Sequence, residues 1–187
     1  VARWQLLFLS SGEVTLADKL AEDRGRRAKA GQAVRMLDVP ATGQLYGAFD
    51  ALHGADDAAT FADRLGRDAA AQHGHAGPAL VRLLVADLEG VTGELRERID
   101  GFRADLLAQL PEADGQVERA AYRFGLIGAV GELATARGLL PWETGAALEA
   151  ARVAFRLWLD QRGSSGAAER AEAIRTVRAF VSSNREA

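Results

Sequence analysis

Gln116–Arg137 reads QVERAAYRFGLIGAVGELATAR and is apolar on most sides, the pattern of a helix buried in the middle of a bundle rather than lying on a surface. Gly125, Gly128 and Gly131 recur at every third position along it. Glycine costs helix stability, so a compensating gain is expected. Close approach of another backbone supplies one; a ligand lying against that face would supply another.

The flanking sequence supplies neighbours for such a helix. Upstream, Val91, Leu95, Ile99 (or Arg98), Phe102, Leu106 and Leu110 recur at three- to four-residue spacing, which predicts an amphipathic helix from about Val91 to Leu110. Pro111 and Asp114 mark the turn after it. Downstream, Pro141-Trp142 starts another turn, and Leu148, Ala151, Phe155, Trp158 and Leu159 line the next helix. Gly163–Gly166 reads as a flexible link, and Ala168 to about Ser183 as a last helix with Ile174, Val177 and Val181 inward. Before this group, Asp56 or Asp57 caps a predicted helix to about Gln72, with Phe61, Leu65 and Ala69 on one face. The breaker Gly74–Pro78 separates it from another over Ala79–Leu88.

The front of the chain reads differently. Trp4–Leu9 (WQLLFL) is a continuous apolar run closed by the polar break Ser10-Ser11-Gly12-Glu13, which predicts a strand buried on both faces. Thr15 with Asp18 forms a capping pair for a helix to about Ala30. Ala33–Val39 (AVRMLDV) is a second expected strand, ended by Pro40. Ala41–Gly54 follows as a loop, anchored by Leu45, Tyr46, Phe49 and Leu52. Two strands cannot cover a strand buried on both faces, so the chain is read as the back end of something larger. The expected architecture is mainly α: a short α/β remnant with strands at about 4–9 and 33–39, then five or six helices. The division is expected at 1–54 and 55–187.

Composition excludes several classes. The 187 residues contain no Cys, which removes disulfides, thiolate nucleophiles and zinc–cysteine sites. The formal net charge of −3 argues against a wholly basic nucleic-acid surface, though not against a local patch. No apolar stretch is long enough for a membrane span, and no basic-then-apolar leader opens the chain, so a cytoplasmic protein is expected. A phosphate-binding loop, G-x-x-x-x-G-K-S/T, is absent, so tight nucleotide binding by these residues alone is not expected.

Four features are candidates for chemistry. Ser10, Ser11 and Glu13 leave the carboxyl end of the first predicted strand, where ligands sit in open α/β sheets; equally, they turn the chain into the Thr15 helix. Arg35, inside the second predicted strand, faces either solvent or an anion, and Arg24, Arg26 and Arg27 lie nearby in sequence. His73 and His75 form an H-x-H pair with no further ligands at workable spacing, so no metal site is expected. Tyr122, Phe124, Trp142 and Trp158 could stack on bases but at helical spacing read as core.

Leu6–Glu13 (LLFLSSGE), Leu16–Asp18, Ala30–Gln32, Val34–Ala41 (VRMLDVPA) and Leu52–Gly54, with Arg123–Ile127, Gly131–Thr135 (GELAT), Phe155–Leu159, Gln161–Gly163 and Val177–Phe180, resemble a bacterial P-loop ATPase family of unknown function. That family is described as superfamily helicases and their inactivated derivatives, in phage- and plasmid-type primase–helicase proteins. The resemblance implies that 1–54 is the C-terminal remnant of a RecA/AAA-like ATPase core and 55–187 a lid or subunit-contact layer. The nucleotide-binding half, with its ATP and Mg, would lie in a parent protein, and no cofactor is expected in this chain. Ser10 or Ser11 would take a sensor position and Arg35 that of an arginine finger. Glu13, Arg26 and Arg27 would stand at the nucleotide edge. DNA, the missing ATPase half and further copies of the protein are the implied partners. Two functions follow: a part of a DNA helicase or primase-associated ATPase that does not itself hydrolyse ATP, or a non-enzymatic interaction or DNA-binding module of an inactivated derivative.

Overall fold

The computed structural model describes residues 8–22 and 35–163. The chain divides into two units, Val1–Asp38 and Val39–Ala187.

In the first unit the described helix is α1, Leu16–Glu22. The Thr15–Asp18 capping pair forms in both directions: the Asp18 N–H donates to Thr15 Oγ1 at 3.1 Å and the Thr15 N–H to the Asp18 carboxylate at 3.3 Å. The two expected strands are not formed in the described residues. Phe8 and Leu9 are irregular and 79% and 102% exposed, and 35–39 is a turn followed by irregular chain. A strand is stable only against a partner, and the exposed Phe8 and Leu9 have none among the described residues. Trp4–Leu7, Ala33 and Val34 lie outside the described residues, as do Arg24, Arg26 and Arg27, the rest of the helix expected to Ala30, and the helix expected over Ala168–Ser183.

The second unit is helical: α2 Ala58–Ala71, α3 Ala76–Ala86, α4 Leu88–Ala108, α5 Gly115–Ala136 and α6 Ala146–Arg162. Strand-type pairing among its described residues is limited to two isolated bridges, Gln44 with Gly47 and Tyr46 with Phe49. Three aspartates set helix starts. Asp57 accepts from the Thr60 N–H, Asp87 from Gly90, and Asp114 from both Gln116 and Val117. The cap at Asp87 begins α4 three residues ahead of the first apolar residue of its stripe. The start of α3 also precedes the expected one. Gly77-Pro78 does not break the helix but sits in its first turn, where the missing proline N–H costs nothing.

The core lies where α5 packs between α4 and α6. From α4 come Val91, Ile99, Phe102 and Leu106; from α5 Val117, Ala120, Ala121, Phe124 and Leu133; from α6 Ala151, Phe155 and Trp158. Phe124 meets Phe155 edge-on, with ring centroids 5.9 Å apart, and Trp158 closes the aromatic cluster 5.7 Å from Phe155. Trp142 and Tyr122, read from the sequence as core, are instead about half exposed.

The loop before α2 folds onto that helix. Phe61, the buried residue of α2, takes the edge of Phe49 at 4.8 Å and the His53 ring at 5.4 Å. Arg64 stacks on Phe61 and donates to the His53 carbonyl at 3.1 Å. These contacts attach residues 39–57 to the helical unit. Of the four expected anchors, Phe49 and Leu52 are half-buried, whereas Leu45 and Tyr46 are exposed.

One end of the bundle is tied by Arg162, the last residue of α6, whose guanidinium stacks over Trp158 and donates to Asp114 at 2.6 Å. Burial pushes the Asp114 carboxyl up, but the Val117 N–H, Arg162 and the Gln116 N–H pull it further down, so it lies below its ordinary value. Asp114→Ala removes the α5 cap and the ion pair together, and urea denaturation should show a loss of about 2 kcal/mol. Asp114→Asn keeps a cap oxygen and should lose about half of that.

Candidate functional site

Of the residues singled out in the sequence for the nucleotide edge, those that are described are open to solvent. Ser10, Ser11 and Glu13 are exposed in the irregular segment before α1, and Arg35 is exposed in a turn. No hydrogen bond or ion pair among the described residues joins these four. Because no strand is formed at 8–9, the expected placement of Ser10 and Ser11 at the end of a buried strand is not realised there. Arg26 and Arg27 lie outside the described residues.

A buried carboxylate lies at the other end of α5, at a residue that sequence reasoning gave no role. Glu132 is 3% exposed. Its carboxylate accepts three backbone N–H groups from the start of α6: Gly145 at 2.8 Å on Oε2, and Ala147 at 2.9 Å and Leu148 at 3.2 Å on Oε1. Helix α6 needs this, because its own N-cap position is Gly145, at φ +94°, with no side chain to accept those donors. The cap is therefore supplied from the preceding helix.

Burial pushes the Glu132 carboxyl up. The three N–H groups and the nearby Arg98 charge outweigh that and hold it below its ordinary value. Arg98 itself donates to Glu94 at 2.8 Å, and Arg137 at the end of α5 donates to the other Glu94 oxygen at 2.6 Å. The sequence signal for this arrangement was a glutamate, Glu132, inside an apolar stretch of helix; the structure puts the cap of the next helix at Gly145 and not at the neighbouring Thr144. The α5–α6 connection opens with Gly138 at φ +68°. There the Gly138 and Leu139 N–H groups bond back to Thr135 and Ala134 in a Schellman turn.

Gly125, Gly128 and Gly131 of α5 have the backbone role, not the ligand role. A Cβ on Gly131 would lie 2.5 Å from the Ala147 Cβ and 3.3 Å from the Trp142 ring. On Gly128 it would meet Ala151 and Leu148 at 3.0 Å, and on Gly125 the Phe102 ring edge at 3.0 Å. Gly128 and Gly131 let α6 approach α5 closely enough for its first turn to reach Glu132.

Chemically this arrangement is closed. A carboxylate that is ionised, buried and engaged by three donors is poorly placed to take a proton from a substrate. His73 bonds the Ala70 carbonyl at 2.8 Å and His75 stands at the start of α3. Among the described residues no group of three or more His, Asp or Glu side chains is placed to hold a metal ion. No helix among them is long and apolar enough to cross a membrane.

Comparison of the chain with protein-family models, with curated proteins and with solved structures returns no match.

Proposed function

We propose that the helical unit is a non-enzymatic interaction module, part of a helicase-type ATPase or of an inactivated derivative of one. The observation that carries this reading is Glu132: the buried carboxylate of the bundle is consumed in holding two helices together, and so serves architecture rather than turnover. The likeness of LLFLSSGE and VRMLDVPA to the P-loop family supplies the wider setting. No phosphate loop occurs in the sequence, so tight binding of a triphosphate by this chain alone is not expected. Isothermal titration of the chain with Mg-ATP is expected to give neither a binding isotherm nor released phosphate. Turnover above a buffer control would overturn the proposal.

A second reading is favoured by the exposure of Ser10, Ser11, Glu13 and Arg35, which leaves them accessible to a nucleotide held by a neighbouring subunit. In a parent protein that hydrolyses ATP, Arg35→Ala is then expected to abolish DNA-stimulated turnover with nucleotide binding nearly unchanged. Unaltered turnover would remove Arg35 from the mechanism. Direct DNA contact is tested separately by a single-strand titration at several salt concentrations. Binding that weakens steeply with salt supports a DNA role for this chain, and no binding at low salt excludes one.

A further inference from the structure

Helix α5 packs on α4 and α6, and its third side carries Tyr122, Leu126, Ile127 and the half-buried Val130. Tyr122, Leu126 and Ile127 are 47%, 36% and 54% exposed. Such a ridge on an otherwise buried helix is the seat of a further helix in a bundle. The chain has a segment of matching pattern. Residues 168–183, outside the described residues, carry Ile174, Val177 and Val181 at helical spacing. The point from which that segment departs is fixed by α6: Arg162 donates to Asp114, the N-cap of α5, at 2.6 Å. The end of α6 therefore stands beside the first turn of α5. Residues 164–167 span at most about 14 Å, enough to reach a helix neighbouring α6 at roughly 8–10 Å. Val81, Val85 and Leu88 form a second exposed apolar patch, at α3 and the start of α4. The helices pack in chain order, so α4 and α5 stand between α3 and α6, and that patch is beyond the reach of so short a connection.

We propose that residues 168–183 of this chain cover the open side of α5 as a helix parallel to it, with Ile174, Val177 and Val181 on Tyr122, Leu126, Ile127 and Val130. The levels agree. Counted from Gly115, Tyr122, Leu126 and Val130 stand about 10.5, 16.5 and 22.5 Å along α5 at the helical rise. Counted from Ala168, Ile174, Val177 and Val181 fall at about 9, 13.5 and 19.5 Å. Charge plays no part in the choice: Arg123 is engaged, Arg103 is paired with Asp100, and the exposed Glu118 stands next to Arg119. The open side of α5 is then an internal contact of the unit Val39–Ala187 rather than a partner surface. This goes beyond the interaction-module reading and does not depend on it.

The test is disulfide trapping in the full chain, which has no cysteine of its own to interfere. Two pairs probe the contact, Tyr122→Cys with Ile174→Cys and Leu126→Cys with Val177→Cys; Val85→Cys with Val177→Cys is the contrast. A disulfide needs Cα atoms roughly 4.4–6.8 Å apart. At least one of the two probe pairs is expected to close within the monomer, at least ~10-fold faster than the contrast pair. Closure of neither, or equal closure of the contrast pair, overturns the proposal. Disulfides that form only between chains also overturn it, and make a second copy the occupant. A second measurement needs no cross-link. Ile127→Glu and Val177→Glu should each lower the melting temperature by about 4 °C or more, and the double variant by less than the sum. An unchanged melting temperature in either single variant, or strict additivity, overturns the proposal. None of these outcomes bears on ATP turnover, which tests the module reading by itself.

Discussion

Glu132→Ala is expected to destabilise the helical unit by about 3 kcal/mol, seen as a fall in melting temperature of about 6–12 °C. The variant strips the acceptor from three backbone N–H groups at the start of α6, two of them on Oε1; the buried Ala147 N–H is left without a partner, while those of the exposed Gly145 and half-buried Leu148 can turn partly to water. Each such donor costs roughly 1–3 kcal/mol when left unpaired, and fraying of the first turn of α6 recovers part of the sum. Glu132→Gln should cost less, because one oxygen still accepts while the amide NH2 confronts a donor. The two variants also separate by pH. The folded-state Glu132 carboxyl lies below its unfolded value of about 4.3, so its stabilisation is complete above that pH and is lost as pH falls through the folded value. The stability gap between wild type and Glu132→Gln should therefore be widest near neutrality and shrink on acidification, as measured by urea denaturation across that range.

Gly131→Ala is the second large effect, with an expected loss of about 2 kcal/mol. Alanine should favour the helix by about 1 kcal/mol over glycine. That gain is outweighed by a methyl placed 2.5 Å from the Ala147 Cβ, a contact that the helices must separate to relieve. Ala147 is a poor candidate to move, since its own N–H is bonded to Glu132. Separation would lengthen the same hydrogen bonds that Glu132→Ala deletes. The double variant should consequently lose less than the sum of the two single losses, a coupling that a double-mutant cycle reads directly. Gly125→Ala is the contrast. Its new methyl would crowd the edge of the Phe102 ring at 3.0 Å, which can tilt, and meet Ile99 at the ordinary distance of 3.5 Å, so a change within about 1 kcal/mol is expected.

The helices were legible in the sequence because each carries its own evidence: the stripe of α4, the apolar circumference of α5, the aspartates at the starts of α2 and α5. A local period and a local cap need no knowledge of the rest of the molecule. The strands were harder to read for the opposite reason: residues 8–9 and 35–39 form none, and the rest of each run lies outside the described residues. A run such as WQLLFL states a preference for burial, but pairing is a property of two segments, and Phe8 and Leu9 have no second segment against them among the described residues. Tyr122 and Trp142 were misplaced because spacing identifies a face without saying whether anything covers it. Glu132 went unassigned because its partners begin 13 residues away, across a turn whose geometry depends on Gly138 and Gly145. The exposed polar residues Ser10, Ser11, Glu13 and Arg35 are legible as chemistry, but the described contacts do not gather them into a site.

The account stands on Glu132 being an ionised structural carboxylate and not a proton-holding catalytic one. Carbon-detected NMR titration of its side-chain carboxyl measures this directly. A midpoint below that of ordinary glutamates, with the Gly145, Ala147 and Leu148 amides protected from exchange, is the predicted result. A midpoint raised above the ordinary range, the mark of a buried general acid, would contradict it.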